Sequence, residues 1–196
     1  MASTVRQRRT FGFSDDGDGT TEANLVLDPQ EQEEVIDNLR QAAKYSNEKS
    51  ARAIAAILAV GVSLQLYFLT MLVQGSQSTP LTPILDSALE AKPLIPLASL
   101  FTILHIAVHV LDIISLIPEL SGLHKSVSED FSRYGPLTTS VAPLLSLFSG
   151  RDVAQLAWWC VPLELSALVW VSRGWMASAV EDVSGLEKLR YDVQGA

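Results

Sequence analysis

The chain has 196 residues, 48% of them hydrophobic and 18% charged, with a net charge of −8. Globular proteins carry about 25% charged residues, so this composition argues against an ordinary soluble enzyme, and the acidic balance against the basic face of a nucleic-acid binder. The single cysteine, Cys160, excludes a disulfide framework and a paired-cysteine zinc site.

The charges are unevenly placed. Residues 1–52 hold 7 of the 14 Lys and Arg and 10 of the 22 Asp and Glu. A polar front segment therefore precedes a much more apolar remainder. Residues 1–27 mix Arg6, Arg8 and Arg9 with Asp15, Asp16 and Asp18 and lack apolar periodicity, the composition of a disordered tail. Arginines ahead of the acids faintly resemble a mitochondrial presequence, but the acidic run opposes that reading. No apolar signal-peptide core occurs among these residues, so the first span is expected to serve as a signal anchor.

Asp28-Pro29, with Glu31 following, carries the chemistry of a helix start. Val35, Ile36, Leu39, Ala42 and Ala43 recur on one face, which predicts an amphipathic cytosolic helix over 28–52. No Pro or Gly separates it from the next segment, so the two are either continuous or merely kinked. The helix is expected to dock on a partner or headgroups, or to pack on this protein's own cytosolic face.

A bilayer core of roughly 30 Å needs about 20 apolar residues. Residues 53–73 contain no charge, 94–117 contain only Asp112, and 153–171 contain only Glu164. These are three predicted spans. A fourth stretch, 134–150, is uncharged but rich in Ser and Thr, and fits a fourth span or a re-entrant helix. Charge asymmetry favours four spans. The N-terminal segment, the 118–133 loop and the tail then share one side with 12 of the Lys and Arg, leaving Lys92 and Arg151 on the other. Both termini are then cytosolic, and Gly150 suits the turn of a hairpin between the last two spans. In the first loop, Thr82-Pro83 forms a second helix start, with Ile84, Leu85, Ala88 and Leu89 at the lumenal interface. The tail, 174–196, carries Val180, Val183, Leu186 and Leu189 at three-residue spacing, which predicts a short surface helix interrupted near Gly185.

Three side-chain patterns carry possible function. His105, His109 and Asp112 stand at i, i+4 and i+7 on one helix face, and Glu164 lies on the last span. Ionisable groups at membrane depth mark candidate sites, so these four form a candidate intramembrane polar site. Structural polar contacts between helices are the plainer reading. The His-x-x-x-His spacing resembles one box of the membrane di-iron desaturases and hydroxylases. Those need several boxes, and three histidines in all do not supply them. Haem between two helices would need a histidine on another span, and none is there. No metal, cofactor or catalytic residue is assigned. Second, Ala51, Ala55, Ala59 and Ser63 recur at i+4, a small-residue face for helix packing. Third, Trp158, Trp159, Trp170 and Trp175 read as an aromatic belt at the two ends of the last span, with Cys160 as inert filler.

Phosphate-loop, GxSxG and HExxH patterns are absent. The expected architecture is an all-α polytopic membrane protein with 3–4 transmembrane helices, residues 53–173 forming the bundle. The short spans suit a thin bilayer such as the endoplasmic reticulum. The expected role is a non-catalytic adaptor or assembly factor whose partners are the lipid bilayer and other membrane proteins, with no nucleic acid and with a homo-oligomer as an option. A transport or proton-path component, or a lipid-enzyme subunit, is the alternative that would use His105, His109, Asp112 and Glu164.

Overall fold

The computed structural model describes residues 29–85, 92–117 and 125–194. The expectations for residues 1–28, for Ala88 and Leu89, and for 118–124 lie outside these. Among the described residues the chain is all-helical, in the order α1 (Pro29–Val73), α2 (Thr82–Leu85), α3 (Ala98–Leu116), α4 (Lys125–Phe148) and α5 (Val153–Gln194). Of these, α1, α3 and α5 are long and apolar enough to cross a membrane.

The four long helices close into a ring. Helix α1 packs on α3, α3 on α4, α4 on α5, and α5 back on α1. Pairings between α1 and α5 ascend on one helix as they descend on the other. Arg40 pairs with Glu187, Asn47 Nδ2 donates to Met176 O at 3.1 Å, Gly61 adjoins Leu165, and the Phe68 ring lies 5.1 Å from that of Trp158. The two helices are therefore antiparallel, and the N-terminal half of α1 and the C-terminal half of α5 leave the bundle together at the same end.

Helix ends follow local chemistry. After α1, Gly75 takes a left-handed φ of 83°, and Ser76 N donates to Met71 O. After α4, Gly150 takes φ 61°, Gly150 N donates to Leu147 O and Arg151 N to Ser146 O. Both are glycine-terminated caps that satisfy the last carbonyls. Asp152 then caps α5 at once, its Oδ1 accepting from Gln155 N at 2.7 Å. The expected hairpin turn at Gly150 is present.

Several boundaries differ from expectation. The segment over 29–52 is helical and takes the continuous form of the two expected, so its boundary at 52 is not an element boundary. It runs unbroken into the first apolar stretch, and Val35 and Leu39 stay exposed. Helix α3 begins at Ala98 rather than 94, because Pro96 lacks an N–H and disfavours helix before it. Helix α4 begins at Lys125, nine residues before the expected stretch. Helix α5 continues through Gly185 to Gln194 without interruption; α1 packed alongside offsets the roughly 1 kcal/mol cost of a helical glycine.

Polarity is inverted relative to a water-soluble bundle. Buried positions include Gln65, Thr102, His105, His109, Asp112, Thr139 and Ser166, while Leu64, Leu100, Ile103, Leu137, Val141 and Leu144 face outward. Two apolar layers bracket this polar interior. One, at the hairpin end, joins Phe68, Ile95, Ala98, Ala142, Trp158 and Trp159. The other joins Ala51, Ile54, Leu58, Leu116 and Val169. Trp158 and Trp159 are thus core residues, not a belt; only Trp170 and Trp175 are exposed.

Gly61 of α1 faces Leu165 of α5, and a Cβ there would stand 2.5 Å from Leu165 Cδ1, the end of a side chain that can turn aside for a methyl but has less room for a larger group. Gly61→Leu should wedge these helices apart and cost about 1–3 kcal/mol. Gly174→Ala, in open space, should be neutral or stabilising. Thermal melts of the detergent-solubilised chain check both.

Candidate functional site

Helix α3 turns one polar seam inward. Thr102, His105, His109, Asp112 and Leu116 are all buried, and their alternating spacing of three and four keeps them facing the neighbouring helices. Apolar residues off this seam, such as Leu100, Ile103 and Val110, are exposed. Sequence spacing placed His105, His109 and Asp112 on one face, and the structure places that face inside.

The two histidines are fully enclosed, each with 0% exposure. None of their four ring nitrogens has a hydrogen-bond partner among the described residues. The His105 ring meets Trp159 edge-on, with centroids 5.8 Å apart. Gln65 from α1 and Ser166 from α5, each 2% exposed, also bring unpartnered oxygens into this interior. Thr139 from α4 is buried too, but its hydroxyl donates to Gly135 O in its own helix. An unpaired buried polar group costs about 1–3 kcal/mol, so this layer is held at a cost by the packing around it.

Asp112 is treated differently. Its carboxylate lies 3.9 Å from the Arg173 guanidinium of α5. Arg173 also donates to Ser115 Oγ, whose hydroxyl donates to Asp112 O at 2.7 Å. This network joins α3 and α5 across the ring, at the end where the termini leave. It balances one acid with the first cation that follows the last apolar stretch.

Glu164 does not join the other three. Inward positions of α5 are Gln155, Trp159, Pro162, Ser166 and Val169; Glu164 stands two residues from both Pro162 and Ser166, about 200° around the helix. It is exposed on the outer surface. The small-residue face divides for a related reason. Ala51 and Ala55 are buried, but Ala59 and Ser63 are exposed. Each four-residue step advances 400°, so the row drifts about 40° per step away from the bundle. The true seam of α1 runs through Ala51, Ile54, Leu58, Gly61, Gln65 and Phe68.

The opposite end carries a second polar knot. Gln155 Nε2 donates to Lys92 O at 2.8 Å and to Asp152 Oδ2 at 3.0 Å, while Lys92 Nζ donates to Gly150 O at 2.7 Å. These bonds pin the approach to α3 onto the α4–α5 hairpin. Sequence reasoning missed Gln65, Gln155, Ser166 and the partnership of Arg173 with Asp112. The three-four spacing of α1 would have found Gln65.

Among the described residues no three His, Cys, Asp or Glu side chains converge as a metal site. Comparison of the chain with family models, with curated proteins and with solved structures gives no match.

Two outcomes follow. Arg173→Met strands the Asp112 carboxylate and should cost about 3 kcal/mol, whereas adding Asp112→Leu should restore most of it; a double-mutant cycle on thermal or denaturant unfolding measures the coupling. His105→Leu and His109→Leu remove unpartnered nitrogens and should be neutral or stabilising in the same assay.

Proposed function

We propose that this chain is a small, non-catalytic integral membrane adaptor or assembly factor, which associates with partner membrane proteins through its transmembrane helices and its paired helix extensions. The observation that carries the reading is the shared projection of the two longest helices. At 45 and 42 residues, α1 and α5 run about 68 and 63 Å, twice the roughly 30 Å of a bilayer core. Their surplus halves leave together as a two-helix stalk, tied by Arg40 with Glu187 and by Asn47 with the Met176 carbonyl. Between them lies a groove of about 480 Å³ whose walls include Ala43, Asn47, Val180 and Val183. Val35, Leu39, Val180 and Leu186 remain exposed, the sort of surface a partner helix covers.

Topology follows the same geometry. Antiparallel α1 and α5, with both surplus halves on one side, support a reading with an even number of crossings. Helix α4 is then the fourth span. Its outward residues Tyr134, Leu137, Val141, Leu144 and Leu147 are exposed, while Thr139 and Ser146 are buried and Thr138 and Ser140 donate to Tyr134 O and Leu137 O of their own helix. The stalk end carries Arg40, Lys44, Lys49, Arg52, Arg173 and Lys188, which favours the cytosol for both termini. The 19-residue α3 fits a thin bilayer such as that of the endoplasmic reticulum.

The alternative, a transport or proton-path component or a lipid-enzyme subunit, draws less support. Apolar layers stand on both sides of the histidines, and Glu164 lies outside the interior.

Mild-detergent pull-down with mass spectrometry tests the adaptor reading. The chain should retain specific membrane proteins, and Leu39→Glu with Val180→Glu should reduce their recovery several-fold without lowering the melting temperature. An unmodified chain that retains no protein, or a partner set unchanged by the double substitution, defeats it. Protease protection of a C-terminal tag inside sealed vesicles would defeat the four-span topology.

A further inference from the structure

We infer that the outer face of α5 centred on Glu164 is the docking site for a transmembrane helix of a partner protein that carries a Lys or Arg at mid-membrane depth. The inference rests on the adaptor reading and specifies its intramembrane contact. Glu164 lies 11 residues into α5, about 16 Å from its start, which is half of a bilayer core. In sequence it falls between Trp159 and Val169, members of the two apolar layers. Its side chain is exposed on the outside of the ring. No described residue forms a hydrogen bond or an ion pair with it. Arg173 is nine residues further on and is engaged by Asp112 and Ser115. Lys92 and Arg151 sit at the hairpin end, a similar distance the other way. A glutamate side chain cannot reach either interface from there.

An acidic side chain facing lipid at this depth is costly, and intramembrane ionisable groups ordinarily face a partner. Hydrocarbon offers no donor, so the occupant must bring one. The surrounding face suits a helix. Cys160 and Ala157 lie on the same side one and two turns before Glu164 and are part-exposed, and Leu168 lies one turn after. Small residues there allow a neighbouring backbone to come close. A second copy of this chain is the wrong occupant. A two-fold contact centred on this face would set Glu164 against its own symmetry mate. The fold neutralises Asp112 internally with Arg173 and leaves Glu164 for a cation from outside.

The test uses the full chain in its native membranes, with a benzophenone amino acid in place of Leu168 as the photo-crosslinking probe. The expected result is an adduct with a partner's transmembrane segment containing Lys or Arg. Glu164→Gln should cut that adduct about tenfold or more, and Glu164→Lys should abolish it until the partner's cation is exchanged for Glu. Melting temperatures of the Glu164 variants should not fall, because the residue lies outside the core. Adducts to lipid alone, to a second copy, or to a segment without a cation overturn the inference, as does an adduct indifferent to Glu164→Gln. If partners are still retained in the pull-down under any of those results, the adaptor reading stands and only this contact falls. If no protein is captured by either route, both fall.

Discussion

Every other helix in this bundle answers to the inward seam of α3. Thr102, His105, His109 and Asp112 occupy successive positions that a water-soluble bundle fills with Leu or Ile. Their burial reverses the usual logic of a core, and it is consistent only with an outer surface that is itself apolar. Helices α1, α4 and α5 bury Gln65, Thr139 and Ser166 in the same interior and turn aliphatic faces away. Where lipid replaces water, association of helices draws on close packing and polar contacts rather than on hydrophobic exclusion. Gly61 against Leu165 supplies the first, and the Asp112–Arg173 pair the second.

The two ends of the bundle differ in character. At the hairpin end, Phe68, Trp158 and Trp159 stack edge to face, and Gln155 ties the backbone of Lys92 to the capped start of α5. That end is closed by bulk and by local hydrogen bonds. At the other end the Asp112–Arg173 pair stands beside the apolar layer of Ala51, Ile54, Leu58, Leu116 and Val169, and two of the helices simply continue. An anchored base and a projecting pair are thus made from the same two segments, with no linker between them.

The fold class was legible in the sequence because three apolar runs of bilayer length are a coarse signal that survives local detail. The phase of α3 was legible too, since an i, i+4, i+7 set shares a face in any helix. Other features depended on quantities that sequence spacing leaves open. An i+4 row of small residues looks like a stripe, yet it drifts off the true 3.5-residue seam within three steps, so Ala59 and Ser63 end up outside. Tryptophan near the end of an apolar run suits an interface or a core equally well, and only the neighbouring Phe68 and Phe101 decide for the core. The absence of Pro and Gly between residues 44 and 60 permitted one long helix without requiring it. The partnership of Asp112 and Arg173 spans 61 positions of sequence, and nothing local announces it.

The four-residue link between α4 and α5 also bears on how the molecule is made. Helix α4 carries Pro136, Pro143 and several hydroxyls and is the least apolar of the four, so it would enter a bilayer poorly by itself. Ser149, Gly150, Arg151 and Asp152 leave too little chain to place the two helices far apart. On the four-span topology proposed above, the two would enter as one hairpin, with the more apolar segment carrying the weaker.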